Sequence, residues 1–435
     1  MTLHLHTAER TDALADGLAD LLVTPLPDPF AREVVVVPAR GVERWLTQRL
    51  SHRLGVGARG GDGVCAGVDF VTPHSLVSML LDRDAEDPWS PDRLAWPLLE
   101  VVDDVMGTAG FEDLTSHLGG GDPTDERSAR RYAVARRLAG LFSSYAAQRP
   151  RLVDDWRAGH DTDGTNGPLD PDLRWQAELW RRLVERVDSP APDRRHATTL
   201  ERLRDGAAGL DLPGRLSLFG HTRLPVTEVE LLRALGEHRD VHLWLPQPSP
   251  VLWAALAPTA AVGPVARADD DSALLVEHPL LASLGRDSRE LRRTLGGLEA
   301  DQRPAVAPAP ATLLGWLQSD LRANRAPGAD TLAARVRAQT DLSVQVHACH
   351  GTARQVDVLR EVLVGLLQDD PTLEPRDILV MCPDIETYAP LISAGFGLAD
   401  VAHEDVGHPA HRLRVRLADR SPGATNPLLG VWWAG

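Results

Sequence analysis

The sequence predicts an α/β protein built on a parallel sheet, and three stretches carry that prediction. Leu342, Val344, Val346 and Ala348 alternate with polar neighbours, the period of a strand. Thr352 and Gln355 then form a T-x-x-Q capping box, and Val356, Leu359, Leu363 and Leu366 fall on one face of a helix. Ile378–Met381 is a second short apolar run, so this unit reads strand, helix, strand. Residues 1–54 repeat the pattern, with Val34–Val37 as an unbroken apolar run suited to a strand buried on both faces. Residues 213–300 return to it a third time.

Taken in order, Leu3–His6 is a strand and Thr11–Leu22 an amphipathic helix. Val34–Val37 is followed by the helix Val42–Leu54, with Val42, Trp45, Leu46 and Leu50 on one side. The stretch Gly55–Gly60 matches G-x-G-x-x-G by letter but follows a helix, so it reads as a surface loop. Residues 85–205 are mostly helical: Leu94–Met106, Arg127–Gln148 and Pro171–Val187 carry apolar residues at helical spacing. Trp96, Trp156, Trp175 and Trp180 read as core anchors between these helices. Arg215–Phe219 and Val241–Pro246 read as strands around the helix Val226–Glu237. A loop rich in Ala, Gly and Asp, Val262–Val276, precedes the helix Leu284–Leu298. The Pro/Ala-rich stretch Arg303–Pro310 and the helix Leu313–Asn324 then lead to a new unit near Asp341.

Composition narrows the chemistry. The chain has 435 residues and a net charge of −16, which argues against a wholly basic surface but allows a local basic channel. Every cation among the 46 Lys+Arg residues is arginine. A phosphate-binding loop of the type G-x-x-x-x-G-K-[ST] needs a lysine on the β- and γ-phosphates, and arginine does not replace that point charge. The strand that should end in a magnesium-holding acidic pair ends instead Leu218-Phe219-Gly220-His221. Both observations exclude P-loop ATP hydrolysis. Cys65, Cys349 and Cys382 are scattered and odd in number, which fits free thiols in a reducing cytoplasm. His347, Cys349 and His350 lie close together but lack a fourth ligand, and a strand edge accounts for them better than zinc. The acidic pairs, such as Asp103-Asp104 and Asp369-Asp370, read as solvated surface. No signal peptide or membrane span is visible. Arg127, Arg130, Arg131, Arg136, Arg137, Arg149 and Arg151 form a concentration of positive charge that suits phosphate or base contacts.

Four blocks carry a family resemblance: DPFAREVVVVPARGVERWLTQRLSHRLGV, RLSLFGHTRLPVTEVELLRALGEHRDVHLWLPQPSP, HPLLASLGRDSREL and VHACHGTARQVDVLREVLVGLLQDDPTLEPRDILVMCPDIETYAPLISAGFG. In order and spacing the chain closely resembles the gamma-subunit (RecC) family of exodeoxyribonuclease V, a bacterial ATP-dependent helicase–nuclease. The resemblance implies an inactivated superfamily-1 helicase-like core. Residues 1–84 with 206–335 would form a first motor-like α/β domain, 85–205 a helical insertion, and 341–435 the start of a second motor-like domain. It also implies that the chain breaks off inside PLLGVWWAG, leaving that second domain incomplete, and that Gly55–Gly60 is an enlarged turn.

The implied function is that of a non-catalytic DNA-binding and scaffolding subunit. It would split a duplex end and guide the 3′ strand during double-strand break repair by homologous recombination. Its partners would be DNA, a RecB-like beta subunit and a RecD-like alpha subunit in a heterotrimer; ATP and Mg would act only in the partners, with no cofactor here. In the family, the strand–loop–helix around Val37–Trp45 and the helix holding Leu141–Arg149 line the strand tunnel. Arg40, Arg44, Leu141 and Arg149 are the implied DNA contacts. Leu141 and Arg149 fit the family pattern, whereas Pro38, Arg40, Arg44, Gly140, Ser143 and Ser144 depart from that best known for reading the Chi sequence. The rival readings are an AddB-type subunit of a two-subunit enzyme, an autonomous ATP-driven helicase, disfavoured by the missing lysine, and a fragment with no function alone.

Overall fold

Six short strands assemble into one all-parallel sheet in the computed structural model. The structure describes residues 2–56, 63–82, 87–120, 130–165, 167–206, 209–262, 265, 269–303, 309–396 and 409–417. Arg127, residues 57–60 of the glycine stretch, residues 427–435, and much of the 262–276 and 303–310 loops lie outside the described residues.

The strands are β1 (Leu3–Ala8), β2 (Glu33–Val36), β3 (Val68–Val71), β4 (Arg215–Phe219), β5 (Asp240–Pro246) and β6 (Ala300–Gln302), in the spatial order β3-β2-β4-β5-β1-β6. The register aligns Leu5 with Leu243, Leu243 with Leu218 and Leu218 with Val36, an apolar row across one face. That row packs on the helix Val226–Gly236, through Val229, Leu232 and Leu235, and on Leu291 and Leu295. The opposite face carries imidazoles: His4 stacks on His242 at 4.6 Å and His6 on Trp244 at 3.9 Å. Burial of the central strands on both faces is why they read as continuous apolar runs.

Helix α1 (Thr11–Leu22) joins β1 to β2, α2 (Arg40–Ser51) joins β2 to β3, and α3 (Pro73–Leu80) follows β3. Between β3 and β4 come α4 (Pro91–Val105), α5 (Glu112–His117), α6 (Arg131–Gln148), α7 (Pro150–Arg157), α8 (Arg174–Arg186) and α9 (Pro192–Arg204). They enclose a second core in which Trp156, Trp180 and Phe142 are buried. Helix α10 (Val226–Gly236) links the two cores, since Thr227 Oγ1 donates to the carbonyl of Ala147 at 3.0 Å.

By its contacts the chain divides into two units. The first holds the sheet and the helical core, residues 1–38, 46–311 and 315–336; the second holds residues 39–45, 312–314 and 337–435. In the second, the helix Thr352–Asp369 packs on Ile385–Gly395 around Val356, Ile392 and Phe396.

Several expectations are corrected here. The segments 342–348 and 378–381 are not strands: among the described residues neither pairs with another segment, and Val346 and Met381 are 93% and 85% exposed. Alternation alone supplies no ladder partner. The capping box does not form, because Gly351 at φ +81° is the N-cap and Thr352 is already helical. Gln355 instead accepts from the Tyr388 hydroxyl. Trp96 is not a core anchor. Helix α4 buries Leu94, Ala95, Leu98, Val101, Val102 and Val105, and that phase leaves Trp96 59% exposed. Strands β3 and β6 were not expected.

Candidate nucleic-acid interface

Helix α6 is the most basic element of an acidic chain. Residues 130–151 carry six arginines and no Asp or Glu. The helix buries Ala135, Leu138, Ala139 and Phe142. Its opposite face is made of small residues and cations: Ala133, Arg136, Arg137, Gly140 and Ser144 are all exposed. Arg131 is spent on Asp103 at 3.1 Å. Arg137, Arg149 and Arg151 have no carboxylate partner among the described residues.

Beside this face lies an open cleft of about 620 Å³. Asp113, Leu114 and His117 of α5, Val134, Leu138 and Leu141 of α6, and Trp175 of α8 form its walls, with Arg137, Gly140 and Ser144 opening onto it. A largely apolar cleft walled by Trp175, with the Arg137 guanidinium at its edge, offers stacking to a base and charge to its phosphate. Gly140 is notable because a Cβ there would meet nothing within 4 Å. Packing therefore does not require glycine, which costs a helix interior about 0.5–1 kcal/mol relative to alanine. Gly140→Ala is expected to raise stability by that amount, read as a higher urea midpoint at unchanged m value. A lower midpoint would show that the residue is needed by the fold itself.

Leu141 is half-buried against the helical core and lines the cleft. Arg149 is the hinge residue between α6 and α7, at φ −138° and ψ 60°, and its side chain is exposed. Pro150 forces that break, since a residue before proline is disfavoured in the helical region. Arg149 lies close enough to Tyr145 for its charge to oppose the upward shift that burial gives the phenol. The Tyr145 hydroxyl donates to Gln176 Oε1 at 3.2 Å.

Arg40 and Arg44 belong to the other unit. Arg40 is the first residue of α2 and is exposed; Arg44 Nη1 donates to the carbonyl of Leu417 at 3.2 Å. The turn before α2 is Val37-Pro38-Ala39. It has no glycine, and Pro38 has no amide hydrogen to offer a phosphate. At the carboxyl end of β4 stands His221, 3% exposed, with burial lowering its pKa to about 4.

The residue pattern points to the arginine cluster and the family resemblance to Leu141, but neither points to Trp175, Leu114 and His117. These come from helices that only the tertiary fold brings to α6. The one signal that could have found them is the absence of acid from 130–151, which marks the face but not its neighbours.

The family model described as RecC, N-terminal domain, matches residues 3–324. The chain is similar to the RecBCD enzyme subunit RecC of Mycolicibacterium smegmatis, 57% identical over 99% of this chain and 38% of the relative. It is similar to that of Mycobacterium tuberculosis H37Rv, 58% identical over 99% of this chain and 39% of the relative. With that of Escherichia coli K12 it shares 29% identity over 98% of this chain and 40% of the relative. The chain thus spans about two fifths of the length of the curated relatives it matches. With the model covering most of its length, the chain belongs to the RecC family and carries the N-terminal domain of that family.

Proposed function

We propose that this chain handles DNA as the gamma-subunit component of a RecBCD-type helicase–nuclease, in the cytoplasm, during double-strand break repair. It is non-catalytic in this reading. It braces a RecB-like and a RecD-like subunit, which supply the ATP and magnesium chemistry, and it leads the 3′ strand away from the split duplex. The division into a first motor-like domain, a helical insertion and a second motor-like domain belongs to the same reading. So do strand contacts by Arg40, Arg44, Leu141 and Arg149. No helix among the described residues is long and apolar enough to cross a membrane.

One observation carries the proposal. In a chain of net charge −16, one exposed helix face carries no acid of its own, and Arg137 on that face, beside the cleft, lacks a carboxylate partner among the described residues, as do Arg149 and Arg151 beyond the helix end. Backbone contacts to a polyanion release counterions, so affinity falls with salt at a slope of about −0.7 per phosphate contacted on a single strand. Arg137→Ala and Arg149→Ala should each weaken binding of labelled single-stranded oligonucleotides evenly across sequences, and each should flatten the log–log salt dependence by about 0.7. Fluorescence anisotropy at several salt concentrations measures both. Variants with the parent's affinity and slope would remove α6 from the strand path. A loss confined to guanine-containing strands would reassign the arginines from phosphate to base reading.

A further inference from the structure

The exposed face of α6 has two borders, and only one is the cleft. On the other border Tyr132 packs against Trp96 of α4, ring centroids 5.2 Å apart at an interplanar angle of 41°. Trp96 is 59% and Tyr132 42% exposed. Two other tryptophans of this region behave differently: Trp156 and Trp180 are buried and donate their indole N–H to the carbonyls of Thr162 and Val153 at 3.0 and 3.1 Å. The apolar area of Trp96 is left in water, where its burial would be favourable.

We propose that the Trp96–Tyr132 pair is a base-stacking platform for single-stranded nucleic acid, a second contact outside the cleft. It rests on the strand-handling reading above and extends the strand's path across α6. Charge decides the class of ligand. Arg136 lies one turn after Tyr132 on the same side of the helix, and its ion pair is a 3.8 Å contact with Asp92, itself 89% exposed. So loose and solvated a pair contributes little and exchanges readily for a phosphate. The other carboxylates of α4 are already ion-paired: Asp103 with Arg131, and Glu100 and Asp104 both with Arg186, at 2.7 and 2.5 Å. A strand crossing α6 meets Arg136 and Arg137 in the middle and an aromatic surface on each side. Between them, Gly140 and Ser144 leave the helix backbone open to close approach. Every base has a π face, so the contact is indifferent to sequence.

The test is anisotropy of a labelled 20-nucleotide dT strand with the full chain and four variants: Trp96→Ala, Trp96→Phe, Tyr132→Ala and Arg137→Ala. Both aromatic residues are exposed, so melting should be unchanged. Trp96→Ala should weaken binding about tenfold, a typical loss for one stacked base. Tyr132→Ala should act in the same direction, Trp96→Phe should restore most of the affinity, and dA and dC strands should give the same pattern. If Trp96→Ala and Tyr132→Ala bind as the parent while Arg137→Ala is weakened, the platform is wrong and the cleft reading stands. If none of the variants is weakened, both fall. If Trp96→Ala keeps strand binding but loses association with a co-expressed beta subunit, the surface is a protein contact and the proposal is overturned.

Discussion

Replacing Trp180 by alanine is expected to cost about 3–5 kcal/mol, the range for truncating a large buried aromatic side chain. Trp180 is fully buried and stands at the centre of the helical core. Its ring packs on Trp89 and Phe142 at 5.4 Å each, and its indole N–H satisfies the Val153 carbonyl. The change therefore opens a cavity and removes a second hydrogen bond to a helix carbonyl, two costs that add. It also withdraws support from α6, because Phe142 is the largest of that helix's buried residues and packs on Trp180. The helical core and the sheet form separate apolar clusters. Limited proteolysis should then cut between residues 87 and 204 before it cuts the sheet strands, and single-strand affinity should drop with it. Trp180→Phe should show a smaller loss of stability. A loss below about 1 kcal/mol for Trp180→Ala would mean that the helices collapse into the space, contrary to the packing described.

Acidification is expected to weaken the sheet, and His242→Gln should remove a large part of the effect. His242 lies inside β5, stacked on His4, with Nδ1 3.1 Å from His6 Nε2. Burial, and then the neighbouring charges of His4, His6 and Arg215, lower its pKa to about 4; only Asp240 opposes them. Burial does the same to His221. Both groups are neutral in the folded and unfolded chain above about pH 6.5. Below it, the unfolded chain takes up protons that the folded chain refuses. Stability is thus present above about pH 6.5 and is lost as pH falls toward 4, on the order of 3 kcal/mol for each histidine. Glu228 acts with the opposite sign. Burial raises its carboxyl to about 7, so the folded chain holds a proton that the unfolded chain releases between about pH 4.5 and 7. The parent should therefore be most stable slightly below neutrality and fall more steeply under about pH 4.5, where Glu228 no longer opposes the histidines and carboxylates held low by their partners, such as Asp12 and Asp320, begin to lose their stabilisation as well. Urea denaturation at pH 7, 6, 5 and 4 measures this. His242→Gln should lose about 3 kcal/mol less than the parent across that range. A variant with the parent's pH profile would show that His242 is protonated in the folded state.

The strands of the sheet core were legible in the amino-acid order because they are buried on both faces. A residue such as Val35 or Leu218 can be little else, and Thr11–Leu22 and Arg215–Phe219 have the predicted bounds. The family was legible from residue order alone. The DNA contacts were not: Arg40, Arg44, Leu141 and Arg149 came from resemblance, and nothing in their spacing places a strand beside them.

Other features depended on what lies next to a segment in space. Ala300–Gln302 is polar and only three residues long, yet it is a strand because β1 offers it a free edge. Residues 342–348 have a better strand pattern, yet among the described residues they have no neighbour to pair with. A helix satisfies its hydrogen bonds within itself, so local sequence decides it; a strand satisfies them on another segment, so tertiary structure decides it. The same distinction governs the candidate site. The sequence by itself determined that residues 130–151 are a basic helix without acid. Only the tertiary structure decided which side of that helix faces water. It placed Trp175 and Leu114 beside Leu141 to make a cleft, and turned Trp96 outward onto Tyr132. Helical phase is local, but the burial of a face depends on which helices pack against it.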